Sequence, residues 1–315
     1  MQPLSRIFIA GHRGLVGSAL VRKLQRDGFT NLILRTREEL DLTCRPAVDA
    51  FFAAVRPEYV FLAAGKVGGI RANSRYPADF IRENLAIQLN VIDAAWRHNV
   101  RKLEFFGSSC IYPKFAPQPI KEEYLLASPL ESTNEPYAIA KIAGLKLCQA
   151  YYAQYGFHAI ALMPTNLYGP GDHFDLENSH VLPALIRKFH DARDAGTPEV
   201  TVWGTGTPRR EFLHVDDLAS AAVFLMQQYD EPEIVNVGAG EDLTIADLAA
   251  LIAKCVGYRG ALRFDTAKPD GTPRKLLDVS RLKALGWRPS IPLEQGIRAT
   301  YAWFLQNVGT ACAER

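Results

Sequence analysis

A strand-like run that leads through a glycine-rich turn into a helical pattern is the feature that most constrains the fold. The apolar run Arg6 to Ala10 is followed by Gly11, Gly14 and Gly17, and the helical stretch Val16 to Asp27 overlaps the last of these. Glycines at this spacing permit a tight turn, close approach of the backbone to a pyrophosphate, and close helix packing. The start of the helix supplies N–H groups for the anion. The sequence therefore predicts a dinucleotide-binding unit.

Alternating strand and helix patterns continue through the first half of the chain. Runs rich in β-branched and aromatic residues predict strands at Asn31 to Arg35, Glu58 to Ala63, Lys102 to Phe106 and His158 to Met163. Apolar residues at helical spacing predict helices at Pro46 to Val55, Phe80 to Asn99 and Tyr137 to Tyr155. This alternation predicts an α/β fold with a doubly wound parallel sheet of the Rossmann type.

The pattern changes after Met163, where segments become shorter and Pro and Gly cluster, which predicts a smaller C-terminal α/β substrate lobe. Strand patterns at Val200 to Trp203 and Glu233 to Val237, with a helical pattern from Asp216 to Gln228, also suit an extension of the first sheet. We expect a dinucleotide-binding domain over residues 1–165, with residues 200–240 contributing to its sheet. We expect a substrate-binding lobe over residues 166–199 and 241–315.

Composition narrows what this fold can bind. The 315 residues include 36 Lys and Arg and 34 Asp and Glu, and a net charge of +2 provides no strong field for nucleic acid or an anionic membrane. The sequence shows no leader and no uncharged span, so we expect a cytoplasmic protein without a membrane partner. The 5 cysteines form no CxxC pair and the 7 histidines show no HExxH spacing. We therefore expect neither a disulfide framework nor a metal.

The end of the second predicted strand favours NADP over NAD. NAD-binding units usually place an acid there for the ribose 2′-hydroxyl, whereas this chain has Arg37 and no carboxylate at the strand end. Arg37, together with Arg13 in the glycine turn, can hold a 2′-phosphate through planar, charge-assisted donors. We predict NADP(H) as the cofactor. Because Glu38 and Glu39 lie nearby, the alternative is that both arginines are solvated surface charges.

A tyrosine, a lysine and a serine form the predicted centre for reduction. Tyr137 and Lys141 are four residues apart in a helical pattern, so they share one face. An ammonium beside a phenol favours the phenolate and eases proton transfer to a substrate oxygen near neutral pH. Ser108 follows the fourth predicted strand, where ligands of such sheets bind. Its hydroxyl can donate a hydrogen bond to the same oxygen, and the alternative for the pair is a solvated helix face.

Gly11, Ser108, Tyr137 and Lys141, in this order and spacing, resemble the extended short-chain dehydrogenase/reductase family. Longer stretches at 107–113, 134–141, 163–170, 178–180 and 268–275 are similar to one branch of that family. The resemblance implies an enzyme that epimerises C3 and C5 of GDP-4-keto-6-deoxy-D-mannose and then reduces C4 with NADPH. Only the resemblance indicates GDP, because residue spacing does not distinguish guanine from uracil.

The resemblance makes Cys110 the base of the epimerisation and His180 the proton donor to the opposite ring face. An extended chain would point Cys110 and Ser108 into one cleft, although a lone cysteine is more often buried filler. His180 follows Asn178 and Ser179, which suit helix capping, and it begins a helical pattern. Because a helix N-terminus disfavours imidazolium, we expect His180 to need a nearby anion.

The resemblance also implies a cofactor site that extends beyond the glycine turn. Its residues are Gly11, His12, Arg13, Gly14, Leu15, Val16, Gly17, Arg37, Asp41, Leu42, Phe106, Gly107, Ser108, Ser109, Lys141, Pro164, Thr165, Asn166, Leu167 and His180.

Four residues are implied to bind the nucleotide sugar: Lys188, Trp203, Arg210 and Asp270. Arg187 lies almost two helical turns from His180, so it competes with Lys188 for the cleft. Trp203 offers a flat apolar surface for a ring, and a place in the core suits it equally well. The implied assembly is a homodimer, because relatives commonly dimerise through the two helices predicted at Phe80 to Asn99 and Tyr137 to Tyr155.

Two other functions suit part of these features. Another nucleotide-sugar epimerase or reductase of the same family would use Tyr137 and Lys141 without requiring Cys110 and His180 as a pair. A non-catalytic protein that senses NADP would retain the glycine turn, but such proteins commonly lose the tyrosine or the lysine, and both are present here.

Overall fold

Strands and helices alternate as the sequence patterns predict. The computed structural model describes residues 1–176, 179–268 and 270–308. In these residues the strands are β1 (Ile7–Ala10), β2 (Leu32–Ile33), β3 (Tyr59–Leu62), β4 (Lys102–Phe106), β5 (Ala159–Pro164), β6 (Asn166–Tyr168), β7 (Glu199–Trp203), β8 (Arg209–Arg210), β9 (Phe212–His214), β10 (Val235–Val237), β11 (Leu243–Thr244), β12 (Ala261–Asp265) and β13 (Arg274–Lys275). The helices are α1 (Leu15–Arg26), α2 (Arg45–Val55), α3 (Ile70–Arg75), α4 (Pro77–Arg97), α5 (Glu135–Tyr155), α6 (Val181–Asp194), α7 (Val215–Gln228), α8 (Ile245–Val256), α9 (Ser280–Ala284) and α10 (Leu293–Asn307).

The central sheet has 6 parallel strands in the order β2, β1, β3, β4, β5, β10. Helices α2, α4 and α5 cover one face, where Phe8 and Phe105 are buried. Helices α1 and α7 cover the other, where Ile9 and Phe61 are buried. A parallel sheet buried on both faces requires strands that are apolar on both sides, and β4 and β5 are buried at every position. The predicted doubly wound α/β fold is confirmed.

One predicted strand is much shorter in the structure. The sequence pattern predicts a strand over Asn31 to Arg35, whereas β2 covers only Leu32–Ile33. β2 lies at the edge of the sheet and pairs with β1 alone. An edge strand lacks a second neighbour to order its ends, so the chain leaves the ladder early.

The remaining elements pack around a third core. Helices α6, α8 and α10 bury apolar side chains together with Val200 and Val202 of β7. β7 pairs with β12 in a separate sheet, whereas β10 joins the central sheet. The sequence patterns predict that the segment 200–240 contributes to the first sheet. That expectation is wrong for β7, which lies in a separate sheet. Side chains of β7 alternate between exposed and buried, so one face of this strand is exposed to solvent. Such a strand does not suit the central sheet, which helices cover on both faces.

None of the helices in the described residues is long and apolar enough to cross a membrane. The same residues contain no cluster of three His, Cys, Asp or Glu side chains suited to hold a metal ion.

Candidate active site

The glycine turn after β1 has the shape that a bound pyrophosphate requires. Gly11 has φ +86°, and a Cβ there would lie 2.8 Å from the Ala64 amide nitrogen. A Cβ on Gly17 would lie 2.1 Å from the Gly11 carbonyl oxygen. A Cβ on Gly14 would make only one contact, at 3.4 Å, so packing within the protein does not require glycine there. The space in front of Gly14 therefore suits close approach of a ligand.

The start of α1 is prepared for an anion. Gly14 caps the helix without a side chain, and the first turn of α1 carries no acidic residue. Its backbone N–H groups and the positive end of the helix dipole remain available to a phosphate. The buried Nδ1 of His12 in the turn has no hydrogen-bond partner among the described residues. These features fit the pyrophosphate of a dinucleotide.

Arg13 of the glycine turn and Arg37 of the loop after β2 both act on Glu38. Hydrogen bonds from its own backbone and Thr36 lower the pKa of Glu38, and the charges of Arg13 and Arg37 lower it further. The Arg37 side chain is 70% exposed, and its only described ion pair is a loose one of 3.7 Å to Glu83. The exposed Arg37 guanidinium can therefore turn toward a ribose phosphate.

Replacement of Arg37 by Ala should weaken NADPH binding about 10-fold, with little change for NADH. One charge-assisted hydrogen bond contributes about 1.5–3 kcal/mol, and the exposure of Arg37 places its contribution at the lower end. Fluorescence titration of the purified variant with each cofactor measures the change. Equal losses for NADPH and NADH would contradict a role in reading the 2′-phosphate.

The other cofactor-site residues lie mostly at the carboxyl ends of strands. Phe106 ends β4 and is followed by Gly107, Ser108 and Ser109. Pro164 ends β5, Thr165 connects it to β6, and Asn166 and Leu167 begin β6. This edge of a doubly wound sheet is where ligands bind. Asp41 and Leu42 belong to the loop between β2 and α2, where Thr43 donates to Asp41 at 2.9 Å and Asn90 donates to the Leu42 carbonyl at 3.0 Å.

Tyr137 and Lys141 share one face of α5, as their spacing predicts. The Lys141 Nζ lies 5.8 Å from the Tyr137 ring centroid and donates to the Phe106 carbonyl at 2.8 Å. Burial lowers the pKa of Lys141 to about 8. Burial and the nearby Cys110 raise the pKa of Tyr137, while a hydrogen bond with Ser108 partly offsets the increase. Tyr137 therefore retains its phenol proton at neutral pH.

Turnover at saturating NADPH should fall as pH rises through about 8, the pKa of buried Lys141. Below that pH the ammonium supports proton transfer from Tyr137, and above it the charge is lost. Because the pKa of Tyr137 is raised, its phenol stays protonated over this range. A pH profile of kcat measures the decline. A profile that stays flat to about pH 10 would show that turnover does not depend on Lys141 charge.

Cys110 reaches the site through a turn, so the extended chain that would align its side chain with that of Ser108 does not form. Ser109–Ile111 forms a short 3-10 helix, and the Ser108 Oγ caps it by accepting from the Cys110 N–H at 3.3 Å. The capping hydrogen bond competes with a strand ladder and closes the turn. Cys110 and Ser108 nevertheless both lie beside Tyr137.

Lys275 is a member of the site that the sequence interpretation missed. Its Nζ donates to the Cys110 Sγ at 3.7 Å, and its charge helps to lower the pKa of His180. The buried Glu211 helps to hold this segment, because its carboxylate accepts the Leu277 N–H at 3.0 Å. Lys275 belongs to one of the stretches that carry the family resemblance, but only the fold brings it to Cys110.

His180 caps α6 with its backbone, and its side chain makes no capping hydrogen bond. Of the two predicted capping residues, Asn178 lies outside the described residues, and the Ser179 hydroxyl donates to the Asp175 carbonyl. Desolvation, then the charges of Lys275 and His173, lower the pKa of His180. Lys275 and His173 thus disfavour the protonated form of His180, and an anion on the ligand would offset their effect.

The residues predicted to bind the nucleotide sugar include a cation stacked on an exposed ring. The Lys188 Nζ lies 5.0 Å from the Trp203 ring centroid. Trp203 is 52% exposed, so the alternative of a core tryptophan is wrong. Arg187 pairs with Asp191 at 2.7 Å. Lys188 rather than Arg187 is therefore the residue beside Trp203.

Arg210 and Asp270 lie close to each other near the end of β7. Burial lowers the pKa of Arg210, and the carboxylate of Asp270 partly offsets this effect. Asp270 accepts hydrogen bonds from the Thr205 N–H at 2.9 Å and the Thr205 hydroxyl at 2.7 Å. Trp203 and Gly204 lead into this loop, so the flat ring of Trp203 lies near the half-buried cation of Arg210. A ring surface beside a cation suits a nucleoside diphosphate.

Comparison with known proteins gives concordant similarities. Residues 7–238 match the NAD dependent epimerase/dehydratase family. The chain is 63% identical to the putative GDP-L-fucose synthase 2 of Arabidopsis thaliana, over 98% of this chain and 94% of the relative. It is 57% identical to the GDP-L-fucose synthase of Escherichia coli, over 96% and 97%. A crystal structure of the GDP-L-fucose synthetase from Naegleria fowleri bound to NADP is similar, with a TM-score of 0.90 and 28% identity over 98% of this chain and 97% of that chain.

Proposed function

We propose, from the premise that this chain belongs to the GDP-L-fucose synthase branch of the NAD dependent epimerase/dehydratase family, that it converts GDP-4-keto-6-deoxy-D-mannose to GDP-L-fucose. The chain is a nucleotide-sugar epimerase and reductase that uses NADP(H). The observation that supports this function best is the convergence of Ser108, Tyr137 and Lys141 with Cys110 and Lys275 at one edge of the sheet.

The cofactor is held by the glycine turn, by Arg13 and Arg37, and by the loops after β4 and β5. When bound, NADPH supplies the hydride that reduces C4 of the sugar. Tyr137 donates its phenol proton to the C4 oxygen, and Ser108 donates a hydrogen bond to the same oxygen. The buried ammonium of Lys141 lowers the free energy of the resulting phenolate.

The epimerisation uses the same carbonyl. Protons on C3 and C5 become removable when the C4 oxygen takes up negative charge, and Ser108 and Tyr137 stabilise that charge. Cys110 removes the carbon-bound protons, and the Lys275 ammonium donates a hydrogen bond to its sulfur. His180 returns a proton to the opposite ring face, and the substrate diphosphate supplies the anion that favours its protonated form.

The nucleotide sugar is held at the other end of the cleft by Lys188, Trp203, Arg210 and Asp270. The exposed indole of Trp203 stacks on a ring, and the cations pair with the diphosphate. Residues 1–165 form the NADP-binding domain together with α7 and β10. Of the described residues, 166–176, 179–199, 241–268 and 270–308 form the substrate lobe.

The same proposal includes a cytoplasmic homodimer. The cysteines in the described part of the chain, Cys44, Cys110, Cys148 and Cys255, are all free, as is usual in a reducing compartment. Helices α4 and α5 each expose a large apolar side chain, with Leu89 51% and Ile139 40% exposed. Burial of these side chains between two copies supports the dimer.

A substrate panel tests the function. Purified protein with NADPH should oxidise the cofactor in the presence of GDP-4-keto-6-deoxy-D-mannose and much more slowly with the UDP-linked 4-keto-6-deoxy sugar. Absorbance of the nicotinamide measures the rate. Equal rates for both nucleotides would contradict the GDP assignment, and no oxidation with any 4-keto sugar would contradict the reductase.

A further inference from the structure

Asn134 occupies the N-cap of α5 without capping it. Asparagine at an N-cap usually accepts a hydrogen bond from an N–H of the first turn, but the Asn134 side chain makes no such bond. Its backbone conformation, with φ −123° and ψ 12°, lies outside the extended region typical of N-cap residues. The backbone still connects to the helix, because the Ala138 N–H donates to the Asn134 carbonyl at 2.9 Å. The Asn134 side chain therefore leaves the helix end without a side-chain cap.

The side chain of Asn134 belongs to the cavity beside Cys110. That cavity is lined by Cys110, Asn134 and Lys275, and by the charged side chains of Glu131 and Arg274. The Asn134 Oδ1 is buried and has no donor among the described residues. An unpaired buried acceptor raises the free energy of the folded protein, so such atoms usually serve a ligand or another partner.

The position of Asn134 limits what this acceptor can serve. Asn134 lies three residues before Tyr137 on the same helix, and it shares the cavity with the sulfur of Cys110. A ring whose C4 oxygen contacts Tyr137 and whose carbon-bound protons face Cys110 places its remaining polar groups in this cavity. The hydroxyls of a hexose are the donors that an amide oxygen accepts.

We propose, on the basis of the function proposed above, that Asn134 is a positioning residue for the sugar. Its Oδ1 accepts a hydrogen bond from a hydroxyl of the substrate ring and holds the ring against Cys110 and Tyr137. The residue does not exchange a proton with the ring. Its contribution is to the orientation of the substrate, so its loss affects sugar binding and leaves cofactor binding unchanged.

Asn134→Ser tests the proposal without removing a helix cap. Serine is a favourable N-cap residue, but its hydroxyl is too short to reach the same place in the cavity. We expect KM for GDP-4-keto-6-deoxy-D-mannose to rise about 3- to 10-fold, the loss of one neutral hydrogen bond, with the NADPH Kd unchanged and the thermal midpoint not lowered. Asn134→Asp retains an acceptor oxygen and should keep KM within about 2-fold of the unaltered enzyme.

Ser132→Ala is the matched control, because Ser132 is exposed in the same loop and does not line the cavity. This variant should keep the unaltered KM. An unchanged KM in Asn134→Ser, a KM in Asn134→Asp as high as in Asn134→Ser, or an equal loss of NADPH affinity would overturn the proposal. Activity of the unaltered protein is measured first. Its absence would contradict the proposed function, whereas activity with an unchanged Asn134→Ser variant contradicts only the role of Asn134.

Discussion

Tyr137→Phe should slow reduction of the 4-keto sugar by about 10²-fold or more while the protein remains folded. The substitution removes the only proton that the side chain can donate to the C4 oxygen. The ring itself is retained, including its edge contact with Phe80 at 6.2 Å between centroids, so no cavity forms. Steady-state oxidation of NADPH and the thermal midpoint of the variant measure the two effects.

Tyr152→Phe is the matched control for this experiment. Tyr152 belongs to the same helix, and its ring packs against His158, 6.1 Å away, rather than against the site. This variant should retain the rate of the unaltered enzyme. Full reductase activity in folded Tyr137→Phe would remove the tyrosine from the mechanism, and with it the roles assigned to Ser108 and Lys141.

Cys110→Ser should abolish exchange of the protons on C3 and C5. Serine is nearly as large as cysteine, but its hydroxyl is a far weaker acid than a thiol with a pKa of about 8.5, so it cannot act as the base near neutral pH. In deuterated water without NADPH, the unaltered enzyme should incorporate deuterium at both carbons, and the variant at neither. If the variant still reduces the substrate, its product should be the unepimerised 6-deoxy sugar, which NMR distinguishes.

Cys255→Ser is the matched control, because Cys255 is half-buried like Cys110 and lies on α8. Exchange in that variant should equal that of the unaltered enzyme. Exchange at the unaltered rate in Cys110→Ser would show that another group is the base, and would leave Cys110 as a packing residue.

The parts of the structure that depend on local sequence were predicted well. The pairing of Tyr137 with Lys141 requires only the helical repeat, and α5 places them one turn apart. The need for glycine at Gly11 and Gly17 likewise follows from the tight turn between β1 and α1. The doubly wound sheet follows from the alternation of patterns, since parallel strands require covering helices.

The parts that depend on distant segments could not be predicted from spacing. Lys275 is 165 positions from Cys110 in the chain, and the pairing of β13 with β8 brings it to the site. The turn at Cys110 forms because the Ser108 side chain caps it. A pattern of alternating residues does not show whether a side-chain hydrogen bond will end the strand in this way. β7 pairs with β12, and its buried side chains pack against α6, α8 and α10. Of these partners, α8, β12 and α10 lie further along the chain than β7. Tertiary contacts decided each of these outcomes.

The central claim is that one site both epimerises and reduces the substrate. NMR analysis of the product formed by the unaltered enzyme tests this claim most directly. The protein is incubated in deuterated water with NADPH and GDP-4-keto-6-deoxy-D-mannose. The account predicts GDP-L-fucose with deuterium at C3 and C5. A 6-deoxy product that retains the configuration of the substrate at C3 and C5, without deuterium at either carbon, would contradict the account and identify a reductase alone.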